Sequence, residues 1–266
     1  MPFQFPRTPA IGGMKLIRIV DETGYAAFLR QAQERRERHA ACVLEASQAA
    51  RCTDGKVREM TDLLLHMTQG RQLQLHRERD GSMQVGVTMR YREGVRIADA
   101  VRQGRVDRLR PLEQETLRIA ERMAASTDGT AYERYWQLFS WLSEHAVYAN
   151  AQPGQEGYAR LVGASGALLS GKANCQGFAD AYWLLCTLNG LAVGYQCGHA
   201  GKGTHLWNVI RVDERWYAAD VSRGSRILRQ SGVEEMRHAF IMNRQQCGAL
   251  GIRWEPQYET VEVAEA

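Results

Sequence analysis

The chain has 266 residues, of which 44% are hydrophobic and 24% are charged, and its formal net charge is +4. This composition is ordinary for a globular protein, and the length allows one large domain or two modest ones. The excess of 34 basic over 30 acidic residues is small, and the densest charged run, Glu34 to His39, mixes both signs as a solvated helix face does. We therefore expect no nucleic-acid partner. No apolar stretch approaches the roughly 20 residues that span a bilayer, so we also expect no membrane span.

The first residues and the cysteines limit which cellular compartment and which disulfide or metal chemistry we expect. Met1 to Gly13 hold no continuous apolar core, so we expect a cytoplasmic protein unless an export signal has been removed from this sequence. The six cysteines include no Cys-x-x-Cys pair, and their spacing does not support a disulfide framework. A metal site at Cys197 and His199 would need a further soft ligand, so we predict neither a metal nor a cofactor.

Residues 1–110 contain predicted elements but no motif that can be converted to chemistry, and we treat them as an N-terminal region of unknown role. Residues 14–20 favour a short strand. The segment from Gly24 to about Arg51 suits one long amphipathic helix or two shorter ones. The further predictions here are a helix or strand over Val57–Met67, a β-hairpin over Leu73–Tyr91 and a short helix over Gly94–Gly104.

Residues 111–266 are predicted to form the second domain. Pro111 opens a helix that runs to about Ala125, because proline and acidic residues suit a first turn. A second helix follows, with aromatic residues at core spacing up to Val147. Four glycines between Pro153 and Gly166 predict a mobile loop beside a cleft, and Val233 to Arg244 predicts a helix near the end of the chain.

The run from Ser170 to Ala179 contains the strongest chemical signal. It reads as a glycine-containing loop that stops at Cys175 and becomes a helix, because Phe178 and Tyr182 follow at helical spacing. At a helix N-terminus the exposed N–H groups and the macrodipole favour a thiolate over a thiol. Cys175 is therefore a candidate nucleophile.

A predicted β-hairpin supplies two partners for this cysteine. Thr204 to Val212 alternates as a strand does and places His205 near its start, and a tight antiparallel return brings Asp220 within reach of His205. His199 is a second candidate base, but it precedes a predicted flexible loop, so we favour His205. Cysteine, histidine and aspartate are the attacker, base and orienter of an activated-nucleophile triad.

Three motifs together resemble the core of the transglutaminase-like superfamily over roughly residues 135–255. They are Gly-Lys-Ala-Asn-Cys-Gln-Gly-Phe-Ala, His-Leu-Trp-Asn-Val and Arg-Trp-Tyr-Ala-Ala-Asp. The fifteen positions between His205 and Asp220 are similar to those of compact bacterial members. The resemblance implies an α+β, papain-like core, with a nucleophile helix packed on an antiparallel sheet and an N-terminal α+β extension. It also implies Cys175 as nucleophile, His205 as base and Asp220 as orienter, with Val221 where many members carry proline.

The resemblance implies acyl transfer on peptide or protein amide bonds through a thioester. We favour hydrolysis because the catalytic region is compact and lacks an acidic cluster for calcium. The alternatives are protein crosslinking by transfer to an amine and a non-catalytic binding module on the same fold. Tyr148 resembles a tyrosine of related sequences and is a candidate oxyanion donor beside the backbone N–H of Cys175; the alternative is that it caps the end of its helix.

Overall fold

The computed structural model describes residues 16–151 and 154–265, which form a mixed structure of helices and sheets. The interpretation of Met1 to Gly13, the first two residues of the strand expected at 14–20, and Pro153 lie outside the described residues. Within the two described ranges, every helix is too short or too polar to cross a bilayer.

The helices occur in both halves of the chain. They are α1 (Glu22–Glu34), α2 (Ala46–Ala49), α3 (Asp54–Leu64), α4 (Glu93–Arg102), α5 (Pro111–Ala125), α6 (Ala131–His145), α7 (Tyr158–Leu161), α8 (Ala164–Leu169), α9 (Cys175–Leu188), α10 (Val221–Ser231), α11 (Val233–Met236) and α12 (Arg244–Ala249). Short 3-10 turns cover Val106–Arg108, Arg237–Ala239 and Pro256–Tyr258.

The strands form three sheets. They are β1 (Ile17–Ile19), β2 (His39–Leu44), β3 (Thr68–Arg77), β4 (Met83–Tyr91), β5 (Val147–Tyr148), β6 (Lys172–Ala173), β7 (Val193–Ala200), β8 (Gly203–Val212), β9 (Arg215–Ala219) and β10 (Ile252–Arg253). The first sheet has the order β1-β2-β4-β3, the second has the order β10-β7-β8-β9, and β5 pairs with β6.

The N-terminal region is built on the first sheet, in which only β1 and β2 run parallel. The β3–β4 pair confirms the predicted hairpin. The alternative of one long helix from Gly24 to about Arg51 is wrong, because His39–Leu44 forms strand β2 between the short helices α1 and α2. Ala40, Cys42 and Leu44 are its buried residues, a period of two that only a strand places on one face.

The second sheet is antiparallel and packs against α9, so the predicted α+β core with a nucleophile helix on an antiparallel sheet is confirmed. Helix α9 is buried from Gly177 to Cys186, as a central helix is. The Asn208 amide on β8 donates to the Ala179 carbonyl of α9 at 3.1 Å and to Gly194 on β7 at 3.2 Å. This bridge holds the helix over two neighbouring strands.

Much of the glycine-rich segment before Cys175 is helical, so the loop predicted between Pro153 and Gly166 is wrong from Tyr158 onwards. It contains α7 and the start of α8. A Cβ at Gly166 would lie 2.2 Å from the Arg160 carbonyl oxygen. Glycine is therefore required here for close backbone packing. In the sequence alone, a glycine required for packing looks the same as a glycine of a flexible loop.

Two predictions near the second sheet also need correction. His199 lies in strand β7, and the expected flexible loop is a tight β7–β8 hairpin in which His199 pairs with Thr204. The helix predicted over Val233–Arg244 ends early, because Met242 exchanges two backbone hydrogen bonds of 2.8 Å with Ala218 on β9. Pairing with the sheet edge competes with helix propagation at this point.

Asp180 joins four elements at the centre of the molecule. It lies on α9 and is fully buried. Its carboxylate accepts from Gly94 N in α4 and Ala164 N in α8, both at 3.0 Å, and from the Tyr195 hydroxyl of β7 at 2.8 Å. One carboxylate therefore caps two helix N-termini, where negative charge is favourable.

Replacing Asp180 with alanine should lower the free energy of unfolding by about 3–5 kcal/mol, because the donors would stay buried without an acceptor. Chemical denaturation of wild type and variant measures this difference. Asp107→Ala, at an exposed position, is the matched control and should change stability by less than about 0.5 kcal/mol. Equal effects of the two substitutions would contradict the capping role.

Candidate active site

Cys175 is the first residue of α9, and its position is set by the residue before it. The Asn174 side chain accepts from Gln176 N at 3.0 Å and from Gly177 N at 3.3 Å, and its carbonyl accepts from Phe178 N. Within the described chain, the N–H of Cys175 itself has no such acceptor. The helix start therefore presents one free backbone donor beside the sulfur, as anion-binding helix N-termini do.

Gly177 fixes this helix start against the preceding segment. A Cβ at this position would lie 2.3 Å from the Leu161 carbonyl oxygen and 3.0 Å from that of Gly163. The Asn174 N–H also donates to Leu161 at 3.1 Å. Cys175 is therefore held in place by backbone packing and hydrogen bonding.

His205 lies buried on β8, the strand between β7 and β9. Its Nε2 is 2.7 Å from Asp220 Oδ2, which leaves Nδ1 as the ring nitrogen available to Cys175. The Trp207 ring stacks on the imidazole with centroids 5.7 Å apart. A Cβ at Gly198, the residue paired with His205, would lie 2.8 Å from that indole. Gly198 therefore makes room for the indole that supports the imidazole.

Asp220 follows β9 and is the N-cap of α10. Its Oδ1 accepts from Ser222 Oγ at 2.8 Å and from Arg223 N at 3.0 Å, which leaves Oδ2 for His205. The Arg223 guanidinium lies 3.6 Å from Oδ2. Val221 is the first residue of this helix, a position that also accepts proline because its N–H has no intrahelical partner.

Cys175, His205 and Asp220 shift one another's pKa values in the directions that favour the charged form of each side chain. Burial would lower the pKa of His205, but the Asp220 charge and hydrogen bond, followed by Cys175, raise it to about 10. Burial would raise the pKa of Cys175, but the hydrogen bond and charge of His205 outweigh it, with help from the Leu206 N–H, and lower it. Burial opposes the charge of Asp220 as well, and His205 again prevails and lowers its pKa. These shifts favour a thiolate, an imidazolium and a carboxylate at the site.

Tyr148 lies on β5, opposite Ala173 in the parallel pair with β6. Burial raises the pKa of Tyr148, as does negative charge at Cys175, while Arg226 lowers it. The Arg226 guanidinium carbon is 5.2 Å from the centre of the phenol ring. Helix α6 ends three residues earlier, at His145, so Tyr148 belongs to the strand and carries a protonated hydroxyl in the electrostatic neighbourhood of the sulfur.

A cleft of about 600 Å³ opens on Cys175 and His205, and one of its walls comes from the N-terminal region. The residues of this wall lie on α3, on the segment between α3 and β3, and at the start of β3. Arg92, directly after β4, also belongs to the wall. Those that line the cleft are Gly55, Arg58, Glu59, Asp62, Leu63, Leu65, His66, Thr68, Gln69, Gly70, Arg71 and Arg92. Sequence reasoning missed them because they meet the cysteine only through tertiary packing and share no local motif.

Cys197 and His199 also line the cleft, on β7. Burial raises the pKa of Cys197 to about 11, so this thiol stays protonated at neutral pH. Within the described ranges, no group of three or more His, Cys, Asp or Glu side chains is arranged to hold a metal ion.

Part of the chain is similar to known proteins. Residues 118–221 match the family model of the transglutaminase-like superfamily. The chain is 29% identical over 108 residues to the kyphoscoliosis peptidase of Homo sapiens and 27% identical over 105 residues to that of Mus musculus. These matches cover 36% and 35% of the chain, but only 16% of the length of either relative.

A solved structure described as that of a TGase is also similar, with a TM-score of 0.36 and 12% identity. The match covers 78% of this chain and 59% of the solved chain.

Iodoacetamide should alkylate Cys175 faster than the other cysteines at pH 6–7, because the thiolate forms below the usual thiol pKa of about 8.5. His205→Gln removes the charge and hydrogen bond but leaves the burial, so the pKa should rise above this value. Labelling at pH 7 should then fall at least about tenfold. Mass spectrometry of peptides labelled across a pH series measures both effects.

Cys197 is the internal control, because it lines the same cleft and should react only under alkaline conditions. Labelling of Cys175 that rises only above pH 8.5 in wild type would contradict the ion pair.

Proposed function

We propose that this chain is a cysteine hydrolase that cleaves peptide or protein amide bonds through a thioester, because residues 118–221 match the family model of the transglutaminase-like superfamily. The observation that carries the proposal is the chain of contacts from Asp220 through His205 to Cys175, buried under a cleft. The roles of nucleophile, base and orienter are assigned to these three residues in that order from the sulfur.

In acylation the Cys175 thiolate attacks the carbonyl carbon, so that an S–C bond forms and charge moves to the carbonyl oxygen. The free N–H of Cys175 is the first donor to this oxyanion and the Tyr148 hydroxyl is the second. When the intermediate collapses the C–N bond breaks, and the proton held by His205 passes to the leaving amine. Asp220 keeps the imidazole oriented throughout.

In deacylation His205, now neutral, takes a proton from the water that attacks the thioester. The C–S bond then breaks, a carboxylic acid leaves and the thiolate returns. An amine in place of water would give transamidation by the same steps. The peptidase name of the two curated relatives supports hydrolysis, although each match spans a small part of those proteins.

Wild type should release amine and carboxylic acid from members of a peptide-amide library, and Cys175→Ala should remove this activity, because no other thiolate is available in the cleft. Mass spectrometry in the presence of a fluorescent primary amine identifies the products. A product that carries the added amine would favour crosslinking over hydrolysis. A reactive Cys175 without turnover on any substrate would favour the non-catalytic binding module.

Tyr148→Phe should lower kcat by about a hundredfold and leave KM nearly unchanged, since an oxyanion donor acts in the transition state. Steady-state kinetics on the best substrate of the library measures the two constants. Tyr132→Phe, at a 43% exposed tyrosine on α6, is the matched control. An unchanged kcat in Tyr148→Phe would exclude this hydroxyl as a donor.

A further inference from the structure

Arg92 is a buried cation of the N-terminal region that lines the cleft beside the nucleophile. The residue is only 4% exposed. Its Nε donates to the His66 carbonyl at 2.6 Å, and one terminal nitrogen donates to Gln176 Oε1 at 3.3 Å. Gln176 follows Cys175 directly, so the guanidinium is tied to the residue next to the sulfur.

The positive charge of Arg92 has no carboxylate in contact. In the described chain its partners are a carbonyl, an amide oxygen and the Tyr195 ring, whose centre is 5.5 Å from the guanidinium carbon. The Arg92 charge acts to lower the pKa of Asp180. The Asp180 oxygens, however, accept hydrogen bonds from Gly94, Ala164 and Tyr195 and not from Arg92. Guanidinium donors that remain after these contacts suit a planar anion.

His66 adds a second polar group to the same part of the cleft. It is 4% exposed, it lines the cleft, and neither ring nitrogen has a hydrogen-bond partner within the described residues. Burial, followed by the charges of Arg92 and Arg30, lowers the pKa of His66 to about 3. The ring is therefore neutral and offers one N–H donor and one acceptor. Buried polar atoms without partners are rare in folded proteins and call for an explanation, which a ligand in the cleft would supply.

The other charged side chains that the N-terminal region contributes to the cleft are paired or exposed. Asp62 forms an ion pair with Arg71, whereas Arg58 and Glu59 are exposed. Exposed charges are screened by water far more than buried ones. Arg92 is therefore the buried cation that the N-terminal region adds to the cleft.

We propose that Arg92 and His66 form a carboxylate-binding subsite that the N-terminal region contributes to the cleft. The substrate class is then amides and peptides with a carboxylate near the scissile bond, supplied by an acidic side chain or by a free C-terminus. The Arg92 guanidinium and the His66 N–H donate to the carboxylate oxygens. The inference rests on the proposed function for the scissile bond, but the subsite can be tested without turnover.

The test compares alkylation of Cys175 by matched anionic and neutral probes. Iodoacetyl-glutamate α-amide is compared with iodoacetyl-glutamine α-amide for the side-chain carboxylate, and iodoacetyl-glycine with its amide for the terminal one. In wild type one anionic probe should react about tenfold faster than its neutral partner, as a charge-assisted contact allows. The pair that gives the preference identifies the source of the carboxylate.

Arg92→Gln should reduce this ratio at least about fivefold, while Arg58→Gln, at the exposed arginine of the same cleft, should keep it. His205 attracts anions in all three proteins, so its contribution cancels when the ratio is compared between variants. His66→Asn keeps the backbone carbonyl that holds Arg92 and should reduce the ratio about two- to threefold. It therefore tests the subsite even if Arg92→Gln does not fold.

Two failures can be told apart. If Cys175 of wild type reacts slowly with iodoacetamide itself, the proposed function is wrong. If Cys175 reacts fast but its ratio of anionic to neutral rates is the same in wild type, Arg92→Gln and His66→Asn, the hydrolase proposal stands and the subsite is overturned.

Discussion

The contact of 2.7 Å between Asp220 and His205 is the interaction on which the site depends. Burial alone would strip the proton from the imidazole and return it to the sulfur, since low dielectric disfavours every charged form. The carboxylate reverses this outcome for His205, and His205 in turn reverses it for Cys175. The Asp220 carboxylate therefore favours the charged form of Cys175 indirectly, through His205.

The scaffold makes that contact in a specific way. Asp220 is oriented by the helix it caps, and His205 by a strand with neighbours on both sides. Cys175 is oriented by Asn174 and by the close approach of Gly177 to the Leu161 backbone. Each triad residue is placed by regular structure, which is more precise than placement by a loop.

Much of this arrangement could be predicted from the sequence because its determinants are local. The start of α9 at Cys175 and the pairing of β8 with β9 follow from helical spacing, alternation and a short turn. Helix α5 begins at Pro111 and ends at Ala125 as predicted. Strand β2 was missed because the charged residues before it continue the pattern of α1, and only its burial distinguishes the two structures.

The cleft wall could not be predicted, because it depends on contacts between distant segments. His66 and Arg92 line the same cleft as Cys175 because the N-terminal region packs on α9, and its core includes Trp183 of that helix. Gly166 was misjudged for a related reason, since the neighbour that requires glycine is the Arg160 carbonyl in the folded chain. Contacts that form only in the folded chain produce no periodic pattern in the sequence.

Asp180 and Asp220 are both buried in the same half of the molecule, yet acid affects them in opposite ways. Burial raises the pKa of Asp180, so this carboxyl group binds a proton more tightly in the folded state than in the unfolded state. The energetic cost of burying its charge therefore decreases as the pH falls. The pKa of Asp220 is lowered, so its contribution is present above the unfolded carboxyl pKa of about 3.9 and is lost below it. The two buried carboxylates therefore make contributions of opposite sign to the acid response of the fold.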